Sequence, residues 1–359
     1  MSAQQPHLVD VREAHRFDEN KLADYLRETL PEEFPKGFDI RQFQGGQSNP
    51  TFLLETPAGD RYVLRKKPPG KLLPSAHQVE REYRVIAALN PTDVPVPEAL
   101  HLCEDERIIG TPFYVMRFVE GRVFDRPSLD EAADGERGAM FSAMAETMAR
   151  LHTVDYEAVG LGDFGKPGNY ISRQIDRWSR QFEASRADND APSMEKLMAW
   201  LPENLPAGDE TTIAHGDFRP GNLMFHPERS EVVAILDWEL CTLGHPLSDL
   251  AYFCIPWHLP TGLPGMSGLD GLDLKALGIP SEEEFIRDYA RRAGRGDGID
   301  DWPFYIAFAL FRLAAILQGV YKRGLDGNAS SANATQMGQG VEFLAAIGWE
   351  QARAGAREF

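Results

Sequence analysis

Cysteine is scarce in this sequence: Cys103, Cys241 and Cys254 are the 3 in 359 residues, and no two form a C-x-x-C pair. An odd set without paired spacing excludes a disulfide framework and a structural zinc site, and reads as buried thiols in a reducing compartment. Positive charge is short as well. Against 37 lysines and arginines stand 55 aspartates and glutamates, a formal charge of -18, which argues against a sequence-independent grip on nucleic acid or on an anionic membrane surface. No apolar run approaches the roughly 18 uninterrupted residues of a membrane span. Residues 1–20 are polar with mixed charge and lack an apolar signal segment, so the cytoplasm is the expected location. No G-x-G-x-x-G follows a leading strand with an acidic residue further on, which removes support for a nicotinamide or flavin site. No fixed repeat or low-complexity tract is present either.

What the chain does have is ordinary globular composition, 43% hydrophobic and 26% charged, and length enough for one large two-lobed domain or two modest ones. After a charged leader with helical spacing, residues 38–43 alternate, a Gly-Gly turn follows, and Thr51–Glu55 and 61–65 read as two more strands around Pro57-Ala58-Gly59-Asp60. Residues 75–89 carry a helical stripe at Val79, Tyr83, Ile86 and Leu89 that ends at Asn90-Pro91. Two β-rich runs follow, at 99–102 and 112–119. Beyond Asp130 the pattern turns helical: 140–153, a charged region at 170–199, then 283–292, 302–321 and 341–353. A β-island interrupts at Thr212–Ala214, with Leu223–Phe225 set to pair with 232–236. The expected fold is α+β and two-lobed: a small five-stranded antiparallel lobe with one helix at 1–118, and a larger, mainly helical lobe at 119–359.

Chemistry concentrates in His215-Gly216-Asp217-Phe218-Arg219-Pro220-Gly221-Asn222, followed by the hairpin and Ile235-Leu236-Asp237-Trp238-Glu239. Phosphoryl transfer requires a carboxylate for the attacking hydroxyl, oxygen ligands for magnesium and fixed positive charge near the transferred group. Asp217 on an irregular loop, Asn222 five positions later and Asp237 after the hairpin supply the first two. Arg219 is the candidate charge stabiliser. His215 reads as a loop-holding residue, and Asp249 as the tie between this loop and the next helix.

The segment resembles the H-G-D-x-x-x-x-N catalytic loop of the aminoglycoside phosphotransferase and choline kinase superfamily, relatives of protein kinases, and most closely the branch found fused to some acyl-CoA dehydrogenases. The likeness extends over roughly 42–252 and includes Gly45-Gly46-Gln47-Ser48-Asn49, Tyr62-Val63-Leu64-Arg65, Arg81-Glu82-Tyr83 and Gly244-His245-Pro246-Leu247-Ser248-Asp249. The resemblance implies a two-lobed kinase that uses ATP and Mg2+, with Asp217 as base, Asn222 and Asp237 on the metal, and Met116, Arg117 and Phe118 as the hinge under adenine. It further implies that Gly45, Gly46, Ser48 and Asn49 line the phosphates, where glycines allow close backbone approach.

Two departures stand out. Arg65 occupies the strand position of the usual phosphate-holding lysine, with Lys66 and Lys67 beside it; its partner is assigned to Glu82, with Glu80 in reserve. The phosphate loop is Gly-Gly-Gln-Ser-Asn rather than G-x-G-x-x-G. The implied acceptor is a small-molecule hydroxyl, on a hydroxyacyl-CoA or related acid by the nearer branch, or on an aminoglycoside, choline or sugar by the wider superfamily. A catalytically silent nucleotide-binding protein is the reading from another class. No nucleic acid or membrane partner is expected, and a homodimer stays open.

Overall fold

The computed structural model describes residues 7–44, 49–69, 77–262, 266–327 and 334–355. A short strand β1 (Leu8–Val9) precedes helix α1 (Glu19–Thr29), which begins where the Asp18 carboxylate accepts the Lys21 N–H. Strands β2 (Asp39–Phe43), β3 (Thr51–Glu55) and β4 (Arg61–Lys66) form the meander, α2 (Val79–Leu89) follows, and β5 (Ala99–Cys103) and β6 (Phe113–Arg117) complete the sheet. Its order is β1-β2-β3-β4-β6-β5, with every neighbouring pair antiparallel. Five of these strands are the ones alternation predicts. The sixth, β1, is two residues long, too short to show a period, and joins by pairing with Gln42 and Phe43.

Side chains alternate across a strand, and that rule gives each residue of β4 and β6 its face. Tyr62, Leu64, Phe113 and Val115 point into a core shared with Leu22 and Leu26 of α1, Phe34, Phe52 and Leu54. Arg65 and Tyr114 point the other way, toward α2. The basic run 65–67 is therefore divided. Lys66 lies on the α1 face, 2% exposed, with its ammonium over the Phe17 ring. Burial lowers its pKa, and no described carboxylate pairs with it. Because the folded state binds this proton less well than the unfolded chain does, the charge destabilises at neutral pH, and the penalty fades as pH rises to the ordinary lysine range. Lys66→Met is accordingly expected to raise the melting temperature at pH 7, by an amount equivalent to about 1 kcal/mol, with a smaller gain at pH 10. Equal gains at both pH values would contradict this account.

The larger lobe begins with β7 (Arg122–Val123), followed by α3 (Arg137–His152), α4 (Tyr170–Ala184) and α5 (Pro192–Glu203). The charged stretch read as one helical region is two helices, and the second starts with Pro192 in its first turn, where a missing N–H costs nothing. Strands β8 (Thr212–Ala214), β9 (Leu223–Phe225), β10 (Val232–Ile235) and β11 (Thr242–Gly244) carry the centre of the lobe. They form the small sheets β10-β9-β7 and β11-β8. Helices α6 (Pro246–Cys254), α7 (Leu274–Leu277), α8 (Glu282–Arg292), α9 (Trp302–Leu325) and α10 (Gly338–Gly355) surround them. By length and composition α9 could cross a membrane, but 72% of its apolar window is buried here, where it packs on α10, α4 and α6.

The lobes pack against each other at two places. Val79, Val85, Ile86 and Leu89 of α2 belong to the large core rather than to the sheet's own. Gly121, just past the sequence boundary at 118, lies so close to β9 that a Cβ there would meet the Phe225 carbonyl at 2.5 Å. Only glycine permits that approach.

Candidate active site

The loop from His215 to Asn222 leaves β8 and is held mainly by one buried carboxylate. Asp249, in the first turn of α6 and 0% exposed, accepts the backbone N–H of His215 at 2.6 Å and of Gly216 at 2.9 Å. Its Oδ2 also accepts from His152 Nε2 at 3.3 Å, which leaves His152 Nδ1 to accept the Tyr289 hydroxyl at 2.8 Å. Burial alone would raise the Asp249 pKa, yet the donors, His152 first, hold it below the usual carboxylate range. The helix that carries Asp249 is capped by His245, whose Nδ1 accepts the Leu247 N–H. Burial pushes His245 down to about 4, so the ring stays neutral and able to accept.

Gly216 has φ 86°, and a Cβ there would lie 2.8 Å from the Leu240 carbonyl. This turn brings Asp217 out toward the cleft. The His215 ring donates through Nε2 to the Leu236 carbonyl at 2.9 Å and accepts the Asp217 N–H at Nδ1, so it braces the loop against the end of the hairpin. That is the loop-holding role read from the sequence. Asn222 ends a 3-10 turn that starts at Pro220. Its Nδ2 donates to both the backbone carbonyl and Oδ2 of Asp217, each at 2.8 Å. The amide nitrogen is thereby engaged, and the amide oxygen is left as a ligand atom. Arg219 Nε lies 3.3 Å from Asp217 Oδ2.

Asp237 follows the hairpin with φ 62°, in the left-handed region that costs a non-glycine residue about 1–2 kcal/mol. The chain turns there instead of continuing as a strand, so Glu239 lies in a 3-10 turn, Trp238–Leu240, and not on a strand face shared with Asp237. Arg65 joins the lobes at this point. Its Nε donates to Glu82 at 2.7 Å and its Nη2 to Asp237 at 3.1 Å, while Nη1 reaches Thr51 Oγ1 at 3.3 Å. Glu82 is the partner, and the reserve, Glu80, pairs with Lys67. Burial would lower the Arg65 pKa, but Glu82 and the other acidic neighbours move it up. Glu82 also accepts from Asn49 Nδ2 at 2.6 Å and from the Tyr114 hydroxyl at 3.1 Å, and Asn49 Oδ1 accepts from His77 at 3.0 Å.

Gly45, Gly46 and Ser48 lie outside the described residues. Met116 packs on the large core, and Phe118 donates its N–H to the Arg61 carbonyl beneath a guanidinium stacked 4.4 Å from its ring. Arg117 needs correction as a side chain: it lies on the α1 face, bonded to Glu98 at 2.7 Å and stacked on Tyr62, so only its main chain can meet a nucleotide. Among the aromatic residues that follow Asp249, Phe253 and Trp257 are packed with Phe141 and Phe285. His258 bonds Glu282. Only Tyr252 lies beside the base: burial first, and then the Asp217 charge, raise its phenol.

Sequence reasoning missed Tyr114, His77 and Arg81. Arg81 donates to the Phe164 carbonyl at 2.7 Å and ties α2 to the large lobe. Arg65→Ala would leave Glu82, whose side chain is 2% exposed, without its cation. The expected loss is about 2–3 kcal/mol by chemical denaturation, and Arg65→Lys should restore more than half of it. No loss in the alanine variant would show the pair to be idle.

Residues 39–307 match the model of a phosphotransferase enzyme family (APH). The crystal structure of a candidate aminoglycoside phosphotransferase from Ralstonia eutropha JMP134 is 48% identical, with a TM-score of 0.86 over 94% of this chain and 99% of that one. Acyl-CoA dehydrogenase family member 10 of Mus musculus is 46% identical over 96% of this chain but only 32% of its own length. Family member 11 of Gallus gallus is 44% identical over 97% of this chain and 45% of its own. The chain thus spans less than half the length of these curated relatives. The catalytic loop, the bridging Arg65 and these matches agree, and the chain belongs to the phosphotransferase enzyme family.

Proposed function

We propose that the protein transfers the γ-phosphoryl group of ATP to the hydroxyl of a small molecule. The observation that carries this reading is the bond of Asn222 to Asp217, with the Leu236 N–H on the Asn222 carbonyl at 2.8 Å joining the Asp237 segment to that loop and Arg65 bridging Glu82 and Asp237. Asp217 orients the acceptor hydroxyl and takes its proton, as a carboxylate base within hydrogen-bond reach can. Arg219 keeps positive charge beside it, and Arg65 holds positive charge on the nucleotide side.

The donors fit magnesium. No cluster of three or more His, Cys, Asp or Glu is found among the described residues, while an open pair of hard oxygens, the Asn222 amide oxygen and the Asp237 carboxylate, suits an ion that keeps waters and substrate phosphates as its other ligands. When bound there, magnesium would neutralise charge on the phosphates. A structural relative of the same fold, an APH(4)-Ia mutant at 18% identity and TM-score 0.58, was captured with AMP-PNP and hygromycin B, which supports the nucleotide part of the reading.

For the acceptor we favour a hydroxyacyl-CoA or related acid. The names of the longer relatives support this choice, and so does the state of the α4 region. Glu183 is paired with Arg186 and Asp188 accepts from Tyr321, so both carboxylates are already partly engaged. Arg177 lies over the Trp178 ring. The presence of Asp217, Asn222 and Asp237 together weighs against a silent kinase, which has no need to keep all three. The charge balance weighs against nucleic-acid and anionic-membrane partners, and the cytoplasm is the proposed location. The test is mass spectrometry of products from ATP, Mg2+ and a panel of hydroxyacyl-CoAs, aminoglycosides, choline and sugars, with Asp217→Asn as control. A phosphorylated hydroxyacyl-CoA is the expected product; an aminoglycoside product would replace the acceptor, and ATP binding without any product would favour the silent reading.

A further inference from the structure

Between Phe304 and Tyr321, α9 carries a single charge, Arg312, and the fold buries it to 7% exposure. A guanidinium taken out of water is normally paired with a carboxylate. Arg312 instead donates Nη2 to the Gly216 backbone carbonyl at 2.7 Å. Its guanidinium carbon lies 5.5 Å from the Tyr252 ring centre and 5.9 Å from that of Trp178. Its buried Nε has no hydrogen-bond partner among the described residues. One carbonyl and two aromatic faces are thus what hold a buried cation in the middle of an apolar helix.

The carbonyl it holds explains the placement. Gly216 rotates freely about both backbone bonds and sits at φ 86°, so nothing in its own conformation fixes the next residue. Asp249 grips the peptide before Gly216 through its N–H. The peptide after it, which leads into Asp217, is held at its carbonyl by Arg312 at 2.7 Å and more loosely at its N–H by His215 Nδ1 at 3.3 Å. Tyr252, under the same guanidinium, has its phenol beside the Asp217 carboxylate.

We propose that Arg312 is a positioning residue for the catalytic base, fixing the Gly216–Asp217 peptide and the Tyr252 ring so that the Asp217 carboxylate is aimed at the acceptor. The proposal rests on the phosphotransferase reading and names a residue that the superfamily motifs do not include. It also couples the base to α4, α6 and α9 through Trp178, Tyr252 and Arg312 itself, so that packing changes there reach Asp217 through one side chain.

The test compares wild type, Arg312→Met and Arg312→Lys by three measurements: hydrogen exchange of the peptide carrying Gly216 and Asp217, ATP affinity by calorimetry, and Mg2+-dependent hydrolysis of ATP with water as acceptor. In Arg312→Met, exchange is expected to rise in that peptide alone and hydrolysis to fall about 10–100-fold, as an angstrom-scale misplacement of a reacting group does, with ATP affinity unchanged. Arg312→Lys, which keeps a donor and the charge, should recover part of both, and it carries the comparison if the methionine variant does not fold. Wild-type exchange and hydrolysis in a folded Arg312→Met would overturn the proposal. So would faster exchange spread evenly through the helical lobe with no recovery by lysine. A wild type that binds ATP without hydrolysing or transferring it would remove the phosphotransferase reading, while the exchange comparison would still decide whether Arg312 fixes the loop.

Discussion

Asp217→Asn is expected to lower turnover by about 10²–10⁴-fold, the usual contribution of a positioned base, with little change in ATP affinity. The substitution keeps the size of the side chain and an oxygen able to accept from Asn222, so the loop geometry of Asp217 and Asn222 survives. It removes the capacity to take a proton. The groups assigned to nucleotide and metal lie elsewhere, on Arg65, Asn222 and Asp237, which is why binding and turnover should separate. Steady-state rates of ADP release and calorimetric titration with ATP measure the two independently. A variant that keeps more than a tenth of wild-type turnover would remove Asp217 as the base, and one that loses ATP binding together with turnover would make its role structural.

Asp249→Ala is expected to cost about 3–5 kcal/mol of stability, the range for breaking a buried charged network from one side. Three donors would lose their acceptor at once: the N–H groups of His215 and Gly216, and His152 Nε2. Asn at this position keeps the shape but has only one oxygen for the three, so about half the loss should remain. The pH dependence follows from the depressed Asp249 pKa. A carboxyl that ionises more readily in the folded state contributes its full stabilisation above the ordinary aspartate range and loses it as pH falls through and below that range. Denaturant melts of wild type and Asp249→Asn should therefore converge in acid. Parallel curves down to pH 2 would show that the carboxylate charge contributes nothing.

Much of this could be read from residues. The hairpin at Pro57-Ala58-Gly59-Asp60, the stripe of α2 and the spacing of Asp217, Asn222 and Asp237 are local patterns, and local patterns determine which elements form. The Arg65–Glu82 pair was legible through the motif resemblance, which gave the strand cation a helix carboxylate as partner and left Glu80 in reserve. Arg117 was not, because its motif position says nothing about which sheet face it occupies; counting the alternation from Val115 would have given the answer. The short strands β1, β7 and β11 span two or three residues each, and their only cause is a partner supplied from elsewhere in the chain. The break near Ser185 had a signal in Pro192, which opens the next helix. Arg312 had one too, as the lone charge in an apolar run. Its target, Gly216, is 96 positions away, and no local pattern reports such a contact.

Sequence distance also sets an order of assembly. The bonds from Asp249 to His215 and Gly216 close loops of 34 and 33 residues, and Asn222 reaches Asp217 across five. The Arg65–Asp237 bridge spans 172. Short loops close early at small entropic cost, whereas the bridge waits until both lobes have formed. A bridge made after the rate-limiting step of folding predicts that its loss speeds unfolding while leaving the refolding rate nearly unchanged. What Arg65 protects is the lifetime of the closed cleft rather than the path that leads to it.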